Sequence, residues 1–200
     1  GVEDRVSVLV CDYRDVRGRW DKLVSLEMVE SVGARHLDTF AAQWGRLLRR
    51  DGLMVVQAIT THDRLFRVDR HRRTFLTDLI FPGGCTPSLE AIIGSVARRT
   101  RLRVAAVYDI TPHYPPTLQA WQDNLQANWP RIERLRGFDE RFRRLWTLYF
   151  AYCAAGFLER RVQDRQIVLA GPDWRDENRL LGLAPDACGP PATAGRTTVR

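Results

Sequence analysis

Apolar positions follow two rhythms along this chain. Val6–Val10 is apolar except for Ser7, and Leu23–Leu26 and Leu53–Ile59 are similar short runs, as expected of strands buried on both faces of a parallel sheet. Between the second and third runs, Leu37, Phe40, Ala41, Trp44, Leu47 and Leu48 recur at helical spacing, introduced by Gly33 and closed by Asp51-Gly52. Strand, helix, strand is the unit of a doubly wound α/β sheet, so that fold class is predicted. Three further helical stripes follow: Phe75, Leu76, Leu79 and Ile80; then Leu89, Ile92, Ile93 and Val96; then Leu118, Trp121 and Leu125. Leu102–Ile110 interrupts them as a strand. Phe142, Trp146, Tyr149 and Cys153 share one face of a helix expected from about Asp139 to Phe157, and Gln166–Ala170 is a last strand. The Gly-, Pro-, Ala- and Arg-rich stretch 171–200 predicts a flexible tail, leaving 1–170 as the domain.

Composition narrows the partners. The chain carries a net charge of +7, almost all of the positive side arginine, with Lys22 the only lysine. Anionic partners are favoured, and charge alone does not separate phospholipid from nucleic acid; an arginine-rich surface as a mere habit of composition is the blander alternative. No nucleic-acid motif occurs and the aromatics fall in core-like stripes, so no nucleic-acid partner is expected. Cys11, Cys85, Cys153 and Cys188 form no CxxC pair and no metal-like spacing; a reducing, cytoplasmic compartment without zinc or disulfides is the expectation. No apolar run is long enough to span a bilayer and no signal-peptide pattern opens the chain, so a soluble protein is expected. His36, His62 and His71 lie among arginines as surface residues, and His113, beside Pro112, is not assigned as a base.

Five ordered motifs go further. They are Asp12-Tyr13-Arg14-Asp15 with Trp20 to Gly33; Val56-Gln57-Ala58-Ile59-Thr60; Ile80-Phe81-Pro82-Gly83-Gly84 with Pro87-Ser88; Pro112-His113-Tyr114 with Thr117, Leu118 and Trp121; and Tyr152 to Phe157. Together they resemble the cyclopropane-fatty-acyl-phospholipid synthase family, including the mycolic acid cyclopropane synthases, over about residues 1–170. The resemblance implies a class I S-adenosylmethionine-dependent methyltransferase (Rossmann-like) fold, of which the strands here would be the third to seventh. The first two strands and the glycine-rich cofactor loop would be missing, and no GxG occurs in the sequence; a fragment inactive by itself is the corollary.

The implied reaction adds a methylene group from S-adenosylmethionine across the cis double bond of an unsaturated phospholipid acyl chain, closing a cyclopropane ring. A related methyltransferase without ring closure is the alternative. By position in the motifs, Glu30, Gln57, Ile59 and Tyr114 would bind a bicarbonate ion that serves as the base. Cys153, Glu30 and Tyr114 would be catalytic residues, and Tyr13 and Arg14 would contact the adenine end of the cofactor. Gln57 departs from the histidine that several members carry, and an amide takes no proton. The residues alone suggest less: a core cysteine for Cys153, a turn tyrosine for Tyr13, and for Glu30 a carboxylate at a helix start. Arg64, Arg67, Arg70, Arg72 and Arg73 suggest peripheral contact with an anionic membrane surface, and a homodimer is left open.

Overall fold

The computed structural model describes residues 1–175. Four strands form one mixed sheet in the order β1 (Trp20–Leu26), β2 (Leu48–Thr61), β4 (Val162–Ala170), β3 (Arg103–Asp109). β1 runs parallel to β2, whereas β4 is antiparallel to both β2 and β3. The expected strands at Leu23–Leu26, Leu53–Ile59, Leu102–Ile110 and Gln166–Ala170 are therefore all present, three of them longer than their apolar runs.

Val6–Val10, expected as a strand, is not one: it is irregular, and Val8, Leu9 and Val10 are exposed. The physical reason is pairing. A strand needs a neighbour for its N–H and C=O groups, and among the described residues β1 pairs with β2 alone. Apolar character without a partner leaves the segment solvated.

Helices cover both faces, as a doubly wound sheet requires. On one face α1 (Leu37–Leu47) and α3 (Leu89–Arg99) bury Phe40, Trp44, Ile92 and Val96 against Met54, Val56 and Ala58 of β2. The Ser88 hydroxyl starts α3 by accepting from the Ala91 N–H at 3.2 Å. On the other face α4 (Tyr114–Ile132) and α5 (Glu140–Leu158) enclose Leu118, Tyr149, Phe150 and Phe157, with Ile59, Trp146 and Cys153 packed against them. Asp139 caps α5 at the Phe142 N–H, 2.8 Å away, so the predicted aromatic stripe faces inward as expected. The Phe75 stripe forms only a short π-helical turn, Leu76–Ile80, beyond α2 (Asp63–Asp69).

Packing continues past residue 170, where the tail was expected to begin. The Gly171 and Asp173 N–H groups donate to the Gly52 and Arg50 carbonyls, Arg50 forks onto the Asp173 carboxylate, and Trp174 is buried beneath Arg103. A side chain at Gly171 would sit 2.2 Å from the Arg50 carbonyl, which is why glycine stands there. Residues 176–200, the rest of that expected tail, lie outside the described residues.

Candidate functional site

β1 and β2 are parallel, so their C-terminal ends lie on one side of the sheet, and antiparallel β4 begins there. Three carboxylates converge at that end: Glu27 just after β1, Glu30 in the 3-10 turn Val29–Ser31, and Asp164 near the start of β4 opposite Ile59. Crevices at the carboxyl ends of strands are where open α/β sheets build their sites.

Glu27 is the hub. Its Oε2 accepts from the Tyr114 hydroxyl at 2.7 Å and its Oε1 from the Gln57 amide at 3.0 Å. The other hydrogen of that amide goes to Asp164 Oδ2 at 3.1 Å, and Gln57 Oε1 accepts from Gln166 at 3.1 Å. Glu30 Oε1 accepts the Ile59 N–H at 2.5 Å, while Glu30 Oε2 and Asp164 Oδ1 are buried with no hydrogen-bond partner among the described residues. Burial, reinforced by the neighbouring carboxylates, pushes both acids up to about 7, from 4.5 for Glu30 and 3.8 for Asp164. Burial and the Glu27 hydrogen bond raise the Tyr114 phenol well above its usual range, so it acts as a donor.

Glu27, Gln57, His113, Tyr114, Trp121 and Asp164 line a cavity of about 280 Å³. Its wall is aromatic: Tyr114 stacks on Phe157 with centroids 4.3 Å apart and 20° between planes, and Trp121 stands edge-on to Tyr114. Cys153 packs in the same apolar cluster as Ile59 and Tyr114, and burial pushes its thiol up to about 11, so it is held neutral. Tyr13 and Arg14 lie apart from these groups, with Tyr13 edge-on to Phe40 of α1 and Arg14 over the Tyr13 ring while paired with Asp12.

The chain thus gathers Glu30, Gln57, Ile59, Tyr114 and Cys153, and adds Glu27 and Asp164, which sequence reasoning passed over. Each left a signal: Glu27 is an acid at a strand end, and Asp164 is an acid inside a strand that turns apolar at Ile167.

The chain as a whole is similar to known proteins. The model of the mycolic acid cyclopropane synthetase family matches residues 1–167. The chain belongs to this family. It is 41% identical over 157 residues to the tuberculostearic acid methyltransferase UfaA1 of Mycobacterium tuberculosis, covering 78% of this chain and 36% of that protein. It is 32% identical over 165 residues to the cyclopropane-fatty-acyl-phospholipid synthase of Escherichia coli K12, covering 82% of this chain and 41% of that one. The chain therefore spans about two fifths of these relatives. Among solved structures, the mycolic acid cyclopropane synthase CmaA1 complexed with SAH and CTAB superposes with a TM-score of 0.71 at 25% identity, over 81% of this chain and 59% of that one. The cyclopropane synthase MmaA2 of Mycobacterium tuberculosis gives 0.72 at 23%, over 84% and 63%. The fold is that of the class I methyltransferases.

Family membership implies a bicarbonate ion, and the residues here do not fit one. An oxyanion needs free donors, yet the Tyr114 hydroxyl, both hydrogens of the Gln57 amide and the Ile59 N–H are all given to the chain's own carboxylates.

Proposed function

We propose that the whole protein transfers a methyl group from S-adenosylmethionine to the double bond of an unsaturated phospholipid acyl chain, and that the groups around Glu27 remove the proton the resulting cation must lose. What carries the reading is a cluster of carboxylates set against an aromatic wall at the sheet's C-terminal edge. A carbocation needs both a nearby base and polarisable faces that do not react with it. Tyr114 and Trp121 supply the faces. Cys153, neutral in its apolar surroundings, packs in the cluster behind the aromatic wall rather than attacking.

S-adenosylmethionine, when bound, supplies the electrophilic methyl. Of the residues present, Tyr13 and Arg14 would hold its adenine end, since the half-buried Tyr13 ring is anchored by Phe40 and already supports a flat cation, the Arg14 guanidinium. The methionine end has no GxG turn to receive it within these 200 residues.

Loss of the proton from the transferred methyl closes a cyclopropane ring, the first reading. Loss from a neighbouring carbon leaves a methyl-branched alkene; the 41% identity to a relative named as a tuberculostearic acid methyltransferase favours this second reading. The two products are isomers, so mass alone does not distinguish them. Proton NMR of lipids from cells expressing the complete gene product does, because ring methylene protons and alkene protons resonate far apart. Lipid extracts without either product exclude methyl transfer to acyl chains.

The same reading places the protein on the cytoplasmic face of an anionic membrane. Arg64, Arg67, Arg70, Arg72 and Arg73 are exposed beside exposed Val68, Leu79 and Phe81, although Arg67, Arg72 and Arg73 already pair with Glu90, Asp69 and Asp78. Among the described residues no helix is long and apolar enough to cross a membrane, so contact would be peripheral. Flotation of the complete protein with anionic but not with neutral vesicles is the expected result; failure to float with either removes the contact.

A further inference from the structure

Glu27 has a positive φ of 49°, a conformation that L-residues other than Asn and Asp seldom adopt. Such strain persists where the surroundings over-determine it, and it clusters at functional positions. Here three contacts fix the residue: its N–H donates to the Gln57 carbonyl at 2.9 Å, and its two carboxylate oxygens receive Tyr114 and Gln57. Both oxygens act as acceptors, as they do in the carboxylate form. Glu27 also lines the 280 Å³ cavity, and Glu30 does not.

We infer that Glu27 is the proton acceptor of the proposed reaction, a built-in carboxylate standing where an external anion would otherwise be held. The inference rests on the methyl-transfer reading for its chemistry, but not for its geometry. Glu30 and Asp164 are less suited. Glu30 turns Oε1 to the Ile59 N–H and buries Oε2, and Asp164, although it also lines the cavity, is only 2% exposed, with Oδ2 taken by the Gln57 amide and Oδ1 buried.

The step balances without any further reagent. Methyl transfer leaves a cation on the acyl chain. A C–H bond of the transferred methyl breaks, and its electron pair forms the carbon–carbon bond that closes the ring; in the second reading the broken bond is on a neighbouring carbon and its pair forms the alkene. In either case the proton passes to Glu27, which becomes a neutral acid and later returns it to water through the cavity.

The test uses the complete protein in buffer freed of carbon dioxide, with and without added bicarbonate, and two readouts: methylated lipid formed, and line broadening of carbon-13 bicarbonate by the protein. Wild type is expected to work equally well in both buffers and to leave the bicarbonate signal sharp. Glu27→Gly frees the Tyr114 and Gln57 donors and relieves the backbone. It is expected to lose about a hundredfold in rate without bicarbonate, to recover at least about tenfold when bicarbonate is added, and to broaden its signal. Wild type that depends on bicarbonate or broadens it, or a Glu27→Gly protein as active as wild type in the freed buffer, overturns the inference. Wild type that makes no methylated lipid in either buffer sinks the methyl-transfer reading, and the bicarbonate signal still decides which anion the donors hold.

Discussion

The Tyr114 hydroxyl meets the Glu27 carboxylate at 2.7 Å across 87 positions of chain, joining the start of α4 to the end of β1. Tyr114→Phe removes the donor and keeps the ring stacked on Phe157. A hydrogen bond to a charged group is worth about 1.5–3 kcal/mol, so methyl transfer by the complete protein should fall by about ten- to a hundredfold. The melting temperature should move only a few degrees. An unchanged rate would show that the phenol does not take part.

Stability should depend on pH through the buried acids. Glu30 and Asp164 have folded-state values near 7, above 4.5 and 3.8. Between those limits the folded chain holds protons that the unfolded chain has released, so stability falls as pH rises from about 4 to 7 and levels off above. For Glu30 the contribution is on the order of 3 kcal/mol. Urea unfolding across this range should show the slope, and Glu30→Gln should reduce it; a slope of opposite sign would mean that both acids are charged at neutrality.

Four of the five expected strands, and the long helices, were legible because burial imposes period on sequence, as in Phe40, Trp44 and the Phe142-to-Cys153 stripe. Val6–Val10 was misjudged because apolar character says nothing about whether a partner strand is at hand. In the site, the motifs pointed to Glu30, Gln57, Ile59 and Tyr114. They did not reveal that these donors are saturated, since that depends on where Glu27 and Asp164 turn. Asp164 was hidden for a topological reason: β4 is antiparallel, and it brings its beginning, not its end, to the site.

The cysteines should differ in reactivity. Cys11 is exposed, whereas burial raises the thiols of half-buried Cys85 and Cys153, the latter to about 11. Iodoacetamide at pH 8 should label Cys11 well before either, because the thiolate is the reacting form. Peptide mapping over time gives the order, and early labelling of Cys153 would mean that the pocket activates it.

β1 offers an open edge. Among the described residues its other side has no strand, and Trp20, Val24 and Leu26 are exposed along it. The 200-residue chain should therefore self-associate as concentration rises, and Val24→Lys should reduce this, charge being the usual guard of a free edge. Light scattering across a dilution series measures both; equal scattering from the two proteins would place the contact elsewhere.

The alternation along β2 has an evolutionary consequence. Val56, Ala58 and Thr60 are fully enclosed, and the first two face α1 and α3, while Gln57 lines the cavity on the opposite face and Ile59 packs in the apolar cluster beside it. One ribbon thus separates heredity of shape from heredity of chemistry. If the proposed chemistry holds, substitutions at the odd positions can retune which proton a bound cation surrenders while the even positions preserve the scaffold, a route by which ring-forming and branch-forming enzymes can diverge from one ancestor without passing through an unfolded intermediate.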